Sequence, residues 1–181
     1  MKVIPTEIPG CFIIEREVFE DHRGRFTEMF HKARLEAELG VPLEFVQDNV
    51  STSARHVLRG LHFQRGPHAQ AKYLTVLKGA VRDVVVDIRN ESPTYGKYLC
   101  VELSESDNRS LYIPRGMAHG FLSLEDGTVM TYKCDAYYHA PSEAGILFSD
   151  PQLNIPWGID HGQALLSERD LHWPKLKDLK V

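Results

Sequence analysis

The run Arg59-Gly60-Leu61-His62-Phe63-Gln64, followed closely by Gln70-Ala71-Lys72, carries the residues best suited to chemistry. A histidine moves a proton near neutral pH. A lysine stabilises developing negative charge, and an arginine grips a phosphate through two parallel hydrogen bonds. Held together on one apolar, β-rich stretch, the three point to proton abstraction from a phosphorylated substrate. The same residues also fit a strand whose polar side chains face solvent.

Four other clusters stand out. In Ile113-Pro114-Arg115-Gly116-Met117-Ala118-His119-Gly120-Phe121, Pro and Gly at fixed offsets before His119 predict a turn that delivers the imidazole into a pocket. This resembles the second motif of the cupin superfamily, the small jelly-roll barrels. Many cupins hold a metal through an H-x-H pair in a first motif. The corresponding stretch here is His62-Phe63-Gln64, which lacks the second imidazole, so neither a metal site nor a cofactor is expected. Asp21-His22-Arg23-Gly24-Arg25-Phe26 places Arg23 beside a glycine, which suits a phosphate as well as a charged surface turn. The amides of Gln47-Asp48-Asn49 could read a base or a sugar, or satisfy backbone groups at a bend. Tyr132 could act as an acid near a histidine; Tyr137 and Tyr138 offer a stacking platform or edge packing. Trp157 and Trp173 read as packing residues.

These residues need a scaffold. A chain of 181 residues fits one domain, taken here as 1–181, and at this length roughly 70% of the unfolded surface can be buried. The three cysteines, Cys11, Cys100 and Cys134, form no CxxC pair and suggest a reducing cytoplasm rather than a disulfide framework. Neither a leader peptide nor a membrane span is visible. A formal charge of −4 argues against nucleic acid as the main partner, and no nucleotide fingerprint of the GxGxxG or P-loop kind occurs. The pattern predicts an α-helix over His31–Leu39, stopped by Gly40 and Pro42, and a shorter helical piece near Leu165–Leu171. Strands are predicted at Phe12–Val18, Phe45–Val50, Val57–Gln64, Tyr73–Leu77, Val81–Ile88, Lys97–Leu103, Ser110–Ile113 and Thr128–Ala136. Turns are predicted at Lys78-Gly79, Glu91-Ser92-Pro93 and Asp126-Gly127. Short strands at this spacing predict an all-β sandwich or barrel with a few short peripheral helices. A parallel α/β sheet would need a helix after most strands.

Taken in order, these segments resemble the dTDP-4-dehydrorhamnose 3,5-epimerase family. Matching pieces include Asp21-His22-Arg23-Gly24, Gln47-Asp48-Asn49-Val50-Ser51, Val57 to Gln64, Gln70-Ala71-Lys72, Asp83 to Arg89, Ile113 to Phe121, Tyr132-Lys133-Cys134, Asp150-Pro151 and Leu166-Ser167-Glu168-Arg169-Asp170. The resemblance spans about residues 10 to 171. It implies a cupin-type jelly-roll homodimer without metal or nicotinamide that acts on a dTDP-linked 4-keto-6-deoxyhexose, with sites shared between subunits. The ketone acidifies the protons on C3 and C5, which are removed and returned from the opposite face through an enolate. Carried over by position, His62 is the base, Asp170 its carboxylate partner, Tyr132 the acid on the opposite face, and Lys72 the cation at the C4 oxygen. Arg23 and Arg59 match diphosphate ligands. Phe26, Glu28, Gln47, Asp48, Asn49, His119 and Glu143 match nucleotide- or sugar-contacting positions, and Tyr138 matches the residue that stacks on thymine.

The chain departs from the family pattern at three places. Arg169 stands where lysine is common, and the two differ in hydrogen-bonding geometry. Arg25 replaces an aromatic residue, and Pro67-His68-Ala69 reshapes the loop before Lys72. Arg59 and His62 also pose a geometric question, since residues three apart on a regular strand face opposite ways. Gly60 must mark a bulge or twist, or Arg59 must act from the rim. Relatives that invert only C3 or only C5 would share the same motif residues. A nucleotide-sugar-binding cupin without catalysis would have no need for the full set His62, Lys72, Tyr132 and Asp170. A metal-dependent cupin oxygenase is the remaining rival.

Overall fold

The computed structural model describes residues 1–179; the last two residues of the expected 1–181 domain lie outside it. In chain order the elements are β1 (Lys2–Pro5), β2 (Phe12–Glu15), β3 (Val18–Asp21), β4 (Gly24–Thr27), α1 (Lys32–Leu39), β5 (Gln47–Ser53), β6 (Leu58–Gln64), β7 (Lys72–Lys78), β8 (Ala80–Asp87), β9 (Tyr98–Ser104), β10 (Arg109–Ile113), β11 (Met117–Ser123), β12 (Thr128–Cys134) and β13 (Glu143–Gly145). Two antiparallel sheets face each other as a jelly-roll sandwich. One runs β1-β2-β10-β7-β12-β5, the other β13-β6-β11-β8-β9, and β3-β4 forms a separate hairpin.

Three apolar layers follow from strand alternation. On β8, Val81 and Val85 point between the sheets and pack with Leu74 and Val76 of β7, Leu111 of β10 and Phe121 of β11. Val84 and Val86 on the same strand, with Ile88 beyond it, face outward beneath the C-terminal segment, where Ile146, Phe148, Leu153 and Trp157 cover them. The outer face of the six-stranded sheet is covered by Leu35 of α1 and by Leu43, which meet Ile14, Tyr73 and Tyr112. Both faces of β8 are therefore buried, which explains its near-continuous valine run.

The predicted helix is present at Lys32–Leu39. The His31 ring accepts from the Arg34 amide at 3.3 Å at its start, and Gly40 ends it in the left-handed region with φ 69°. The predicted strands are present with shifted ends, except that Phe12–Val18 is divided: β2 stops at Glu15 and β3 begins at Val18 in the separate hairpin. The turn predicted in Ile113–Phe121 is confined to Pro114–Gly116, where the chain bends between β10 and β11 with Gly116 at φ 81°. From Met117 onward the segment is β11, buried throughout and paired on both sides.

The helical expectation at Leu165–Leu171 is corrected. Leu165 bridges Val57 in parallel, and the chain then turns, with the Asp170 amide donating to the Ser167 carbonyl at 3.0 Å and also lying 3.2 Å from Ser167 Oγ. Local side-chain bonds of this kind compete with helix formation. The segment is fastened to the body by Asp150, whose Oδ2 accepts from the Leu176 amide at 2.6 Å, and by the Leu147 amide donating to the Pro174 carbonyl at 2.9 Å.

Gly60 decides how β6 presents its side chains. Arg59 pairs with Phe121 and His62 with His119, so two residues of β6 stand opposite one of β11. This is a β-bulge, and it turns Arg59 and His62 to the same side. The two backbones are so close that a Cβ on Gly60 would sit 2.6 Å from Gly120 Cα and 2.7 Å from the His119 carbonyl oxygen, at a φ of +114°. Gly60→Ala is therefore expected to cost on the order of 3 kcal/mol. The matching drop in thermal midpoint is roughly 6–12 °C for a chain of this size, measured by calorimetry; a midpoint within a degree of wild type would show that the strand pair can relax.

Candidate active site

At one end of the sandwich the inward-pointing residues change from apolar to polar. Two adjoining cavities of about 290 and 520 Å³ open there, and His62, Lys72, Tyr132 and Glu143 line both. His62 comes from β6 of the five-stranded sheet, whereas Lys72 on β7 and Tyr132 on β12 come from the six-stranded sheet opposite. A flat ring lying between the sheets would have the imidazole on one side and the phenol on the other.

His62 Nε2 is bonded to Asp170 Oδ1. Asp170 is almost fully buried, and it also accepts from Ser167 Oγ at 2.9 Å and from Trp173 Nε1 at 3.1 Å. Burial alone would raise its carboxyl pKa, but the bonds from His62, Ser167 and Trp173 hold it below the ordinary carboxylate range. Trp173 also meets the His62 ring edge-on, with centroids 6.0 Å apart. It fits because Gly145, the β13 residue paired with His62, has no side chain; a Cβ there would lie 2.6 Å from the indole. Trp173 thus does more than the packing expected of it, since it donates to the carboxylate that orients the base.

Burial lowers the Lys72 pKa and raises that of Tyr132. The ammonium is consequently easier to deprotonate and the phenol harder. Arg59 lines the larger cavity together with His62, with Nε donating to Ser53 Oγ at 3.2 Å. The bulge brings Arg59 to the side of His62, and its side chain stays exposed at the edge of that cavity. His119 lines the same cavity, with Nε2 2.8 Å from Asp83 Oδ2.

Gln47, Asn49 and Tyr138 line the smaller cavity. Gln47 Nε2 donates to Asn49 Oδ1 at 3.0 Å, and the Tyr138 amide donates to Gln47 Oε1 at 2.9 Å. The Tyr138 hydroxyl donates to Glu143 Oε2 at 2.9 Å, and Arg169 forms an ion pair with the same carboxylate. Tyr138 keeps about half its surface exposed, which leaves a ring face open at the mouth.

Four predicted residues are not brought here. Arg23 and Phe26 lie on the β3-β4 hairpin, where Arg23 pairs with Asp21 at 2.6 Å and Phe26 is 68% exposed. Glu28 pairs with Arg34 of the helix at 3.1 Å. Asp48 points to the outer side of β5, because strand alternation opposes it to Gln47 and Asn49, and it is bound there by Lys133 at 2.9 Å. Conversely, Gln64, Gln70 and Cys134 line the smaller cavity without having been singled out as ligands. Alternation from His62 and Tyr132 would have placed Gln64 and Cys134 there. Among the described residues, no three His, Cys, Asp or Glu side chains converge as metal ligands, and no helix is long and apolar enough to cross a membrane.

Comparison with known proteins places this geometry in context. Residues 5–178 match the family model described as dTDP-4-dehydrorhamnose 3,5-epimerase. The chain is 47% identical over 178 residues to the Shigella flexneri protein of that name, covering 98% of this chain and 97% of the relative. Among solved structures it is similar to dTDP-6-deoxy-D-glucose-3,5-epimerase from Legionella pneumophila in complex with dTDP-4-keto-L-rhamnose (TM-score 0.94, 44% identity, 99% of this chain and 94% of that one). It is also similar to a 3'-monoepimerase from Streptomyces bikiniensis in complex with dTDP-quinovose (TM-score 0.89, 36% identity, 96% and 87%).

Proposed function

This chain belongs to the dTDP-4-dehydrorhamnose 3,5-epimerase family, and on that footing we propose that its single domain converts dTDP-4-dehydro-6-deoxy-D-glucose to dTDP-4-dehydro-L-rhamnose. The observation that carries this reading is the approach of His62 and Tyr132 from opposite sheets to one cavity, with Lys72 beside them.

The C4 ketone lets the adjacent C–H bond ionise. His62 takes the proton as the electron pair moves onto the C4 oxygen, and Asp170 stabilises the imidazolium that forms. Lys72 opposes the charge developing on that oxygen, which favours the transition state over the ground state. Tyr132 returns a proton to the other face of the carbon, and the configuration inverts. The same cycle at the second carbon completes the conversion. Arg59 grips the diphosphate, Tyr138 stacks on the base, and Gln47, Asn49, His119, Glu143 and Arg169 hold the remainder of the nucleotide sugar.

The protein acts as a cytoplasmic homodimer in this reading. The exposed hairpin, with Phe19 55% and Phe26 68% exposed, supports it: in a dimer, Arg23, Phe26 and Glu28 serve the neighbouring cavity rather than their own. Light scattering is expected to give the mass of two 20.6 kDa chains; the mass of one chain would remove these three residues from the site.

The activity is tested by incubation with dTDP-4-dehydro-6-deoxy-D-glucose in D₂O and NMR of the sugar. Deuterium at C3 and C5 with the L-lyxo product is expected. Label at one carbon alone would make the protein a mono-epimerase, and no label would overturn the assignment.

A further inference from the structure

Asp83 has no part in the chemistry above, yet it is fully buried on β8, behind His119 of the larger cavity. Its Oδ2 lies 2.8 Å from His119 Nε2. Its Oδ1 has no hydrogen-bond partner among the described residues, a costly state for a buried carboxylate oxygen. His119 is in turn the cross-strand partner of His62. The cavity therefore holds two histidine–carboxylate pairs side by side, and only His62–Asp170 has a role as acid–base machinery.

Asp83 also bears on Lys72. The lysine shares its cavities with Cys134 and Tyr132 from β12, Glu143 from β13 and His62 from β6, and the charge of Asp83, buried on β8 of the facing sheet, acts on it from behind His119. Desolvation pulls its pKa down, against which negative charge on Cys134, Asp83 and Glu143 would act. Burial pushes the Cys134 thiol up, so it carries no charge at neutral pH. Glu143 is already engaged by Arg169 and Tyr138. The Asp83 carboxylate, whose Oδ1 has no partner among the described residues, remains as the leading countercharge.

We propose that Asp83 is a positioning residue for the epimerisation: Oδ2 fixes His119 with its proton on Nε2, leaving Nδ1 for the substrate, while the free Oδ1 supplies the countercharge that keeps Lys72 an ammonium. This rests on the reading of His119 and Lys72 as substrate-facing groups. A carboxylate that sets an imidazole tautomer is a familiar supporting arrangement. Here the same carboxylate serves a second group on the opposite sheet.

The test is the Asp83→Asn variant, which nearly preserves shape and removes the charge. Its kcat is expected to fall about 10²-fold, the effect of misplacing a reacting group, with a small change in KM. The alkaline limb of its pH–rate profile should move to lower pH, because loss of a nearby negative charge makes the ammonium easier to deprotonate. A purely structural aspartate would lower the melting temperature and leave that limb unmoved; this result would overturn the proposal. If the variant does not fold, nitrogen–proton NMR of the His119 ring in the unaltered protein decides. A proton on Nε2 is expected, and a ring protonated on Nδ1 alone overturns the proposal. Solvent exchange by the unaltered protein keeps the two readings apart. Its absence removes the epimerase assignment, whereas normal exchange with an unmoved limb in Asp83→Asn removes only the role of Asp83.

Discussion

His62→Ala abolishes deuterium incorporation at both C3 and C5, with a loss on the order of 10³-fold or more in exchange rate. A positioned general base contributes about 10²–10⁴-fold, and His62 is the imidazole that Asp170 orients at the cavity. Nucleotide binding, followed by titration calorimetry with dTDP, should stay near that of the unaltered protein, because Arg59 and Tyr138 lie on other parts of the wall. Tyr132→Phe provides the contrast: it removes the acid and spares the base, so exchange survives better than inversion. Near-normal exchange in His62→Ala would end the assignment of His62 as the base.

The same variant changes acid stability. The Asp170 carboxyl is held below its ordinary range despite burial, partly by the bond from His62. A depressed folded-state pKa contributes stability that is present above the unfolded value, about 3.9, and is lost as pH falls through the folded value. Removing His62 raises the folded value toward the ordinary one. The acid-unfolding midpoint of His62→Ala should therefore lie at higher pH than that of the unaltered protein, as followed by circular dichroism. An unchanged midpoint would show that Ser167 and Trp173 suffice to hold the carboxylate.

Lys72→Ala lowers kcat by about 10²–10³-fold, the usual loss when one fixed group opposing an oxyanion is removed. The change should fall on kcat and kcat/KM together, because the charge on the C4 oxygen develops in the transition state. The pH dependence identifies the group. Burial lowers the Lys72 pKa and raises that of Tyr132. Activity lost on the alkaline side below lysine's ordinary value of about 10.4 is then lost through Lys72, while Tyr132 is still protonated. Lys72→Arg, whose guanidinium stays charged, should move that limb upward in whatever activity remains. A limb that stays in place in Lys72→Arg would assign it to another residue.

Much of this was legible in the chain itself. Two-residue alternation in Val81–Ile88 separated the two faces of β8, and Gly40 and Pro42 marked the end of the helix, since both signals depend on local backbone geometry. The order of short motifs identified the family and nominated His62, Lys72, Tyr132 and Asp170. Other features required the packed structure. Asp170 reaches His62 across 108 positions of sequence because Asp150 fastens the tail and Ser167 closes a turn where a helix was expected. Arg59 joins His62 on one side because the Gly60–Gly120 contact admits an extra residue into β6. Asp48 turns outward between two neighbours that turn inward. Arg23, Phe26 and Glu28 stand apart from the cavity, since the hairpin that carries the first two and the connection from it to the helix that carries Glu28 belong to other surfaces of the chain. Residue identity and local period determine which groups are available and which way a regular strand points them. Bulges, distant carboxylates and shared countercharges depend on contacts between segments far apart in sequence, and only the tertiary structure decides those.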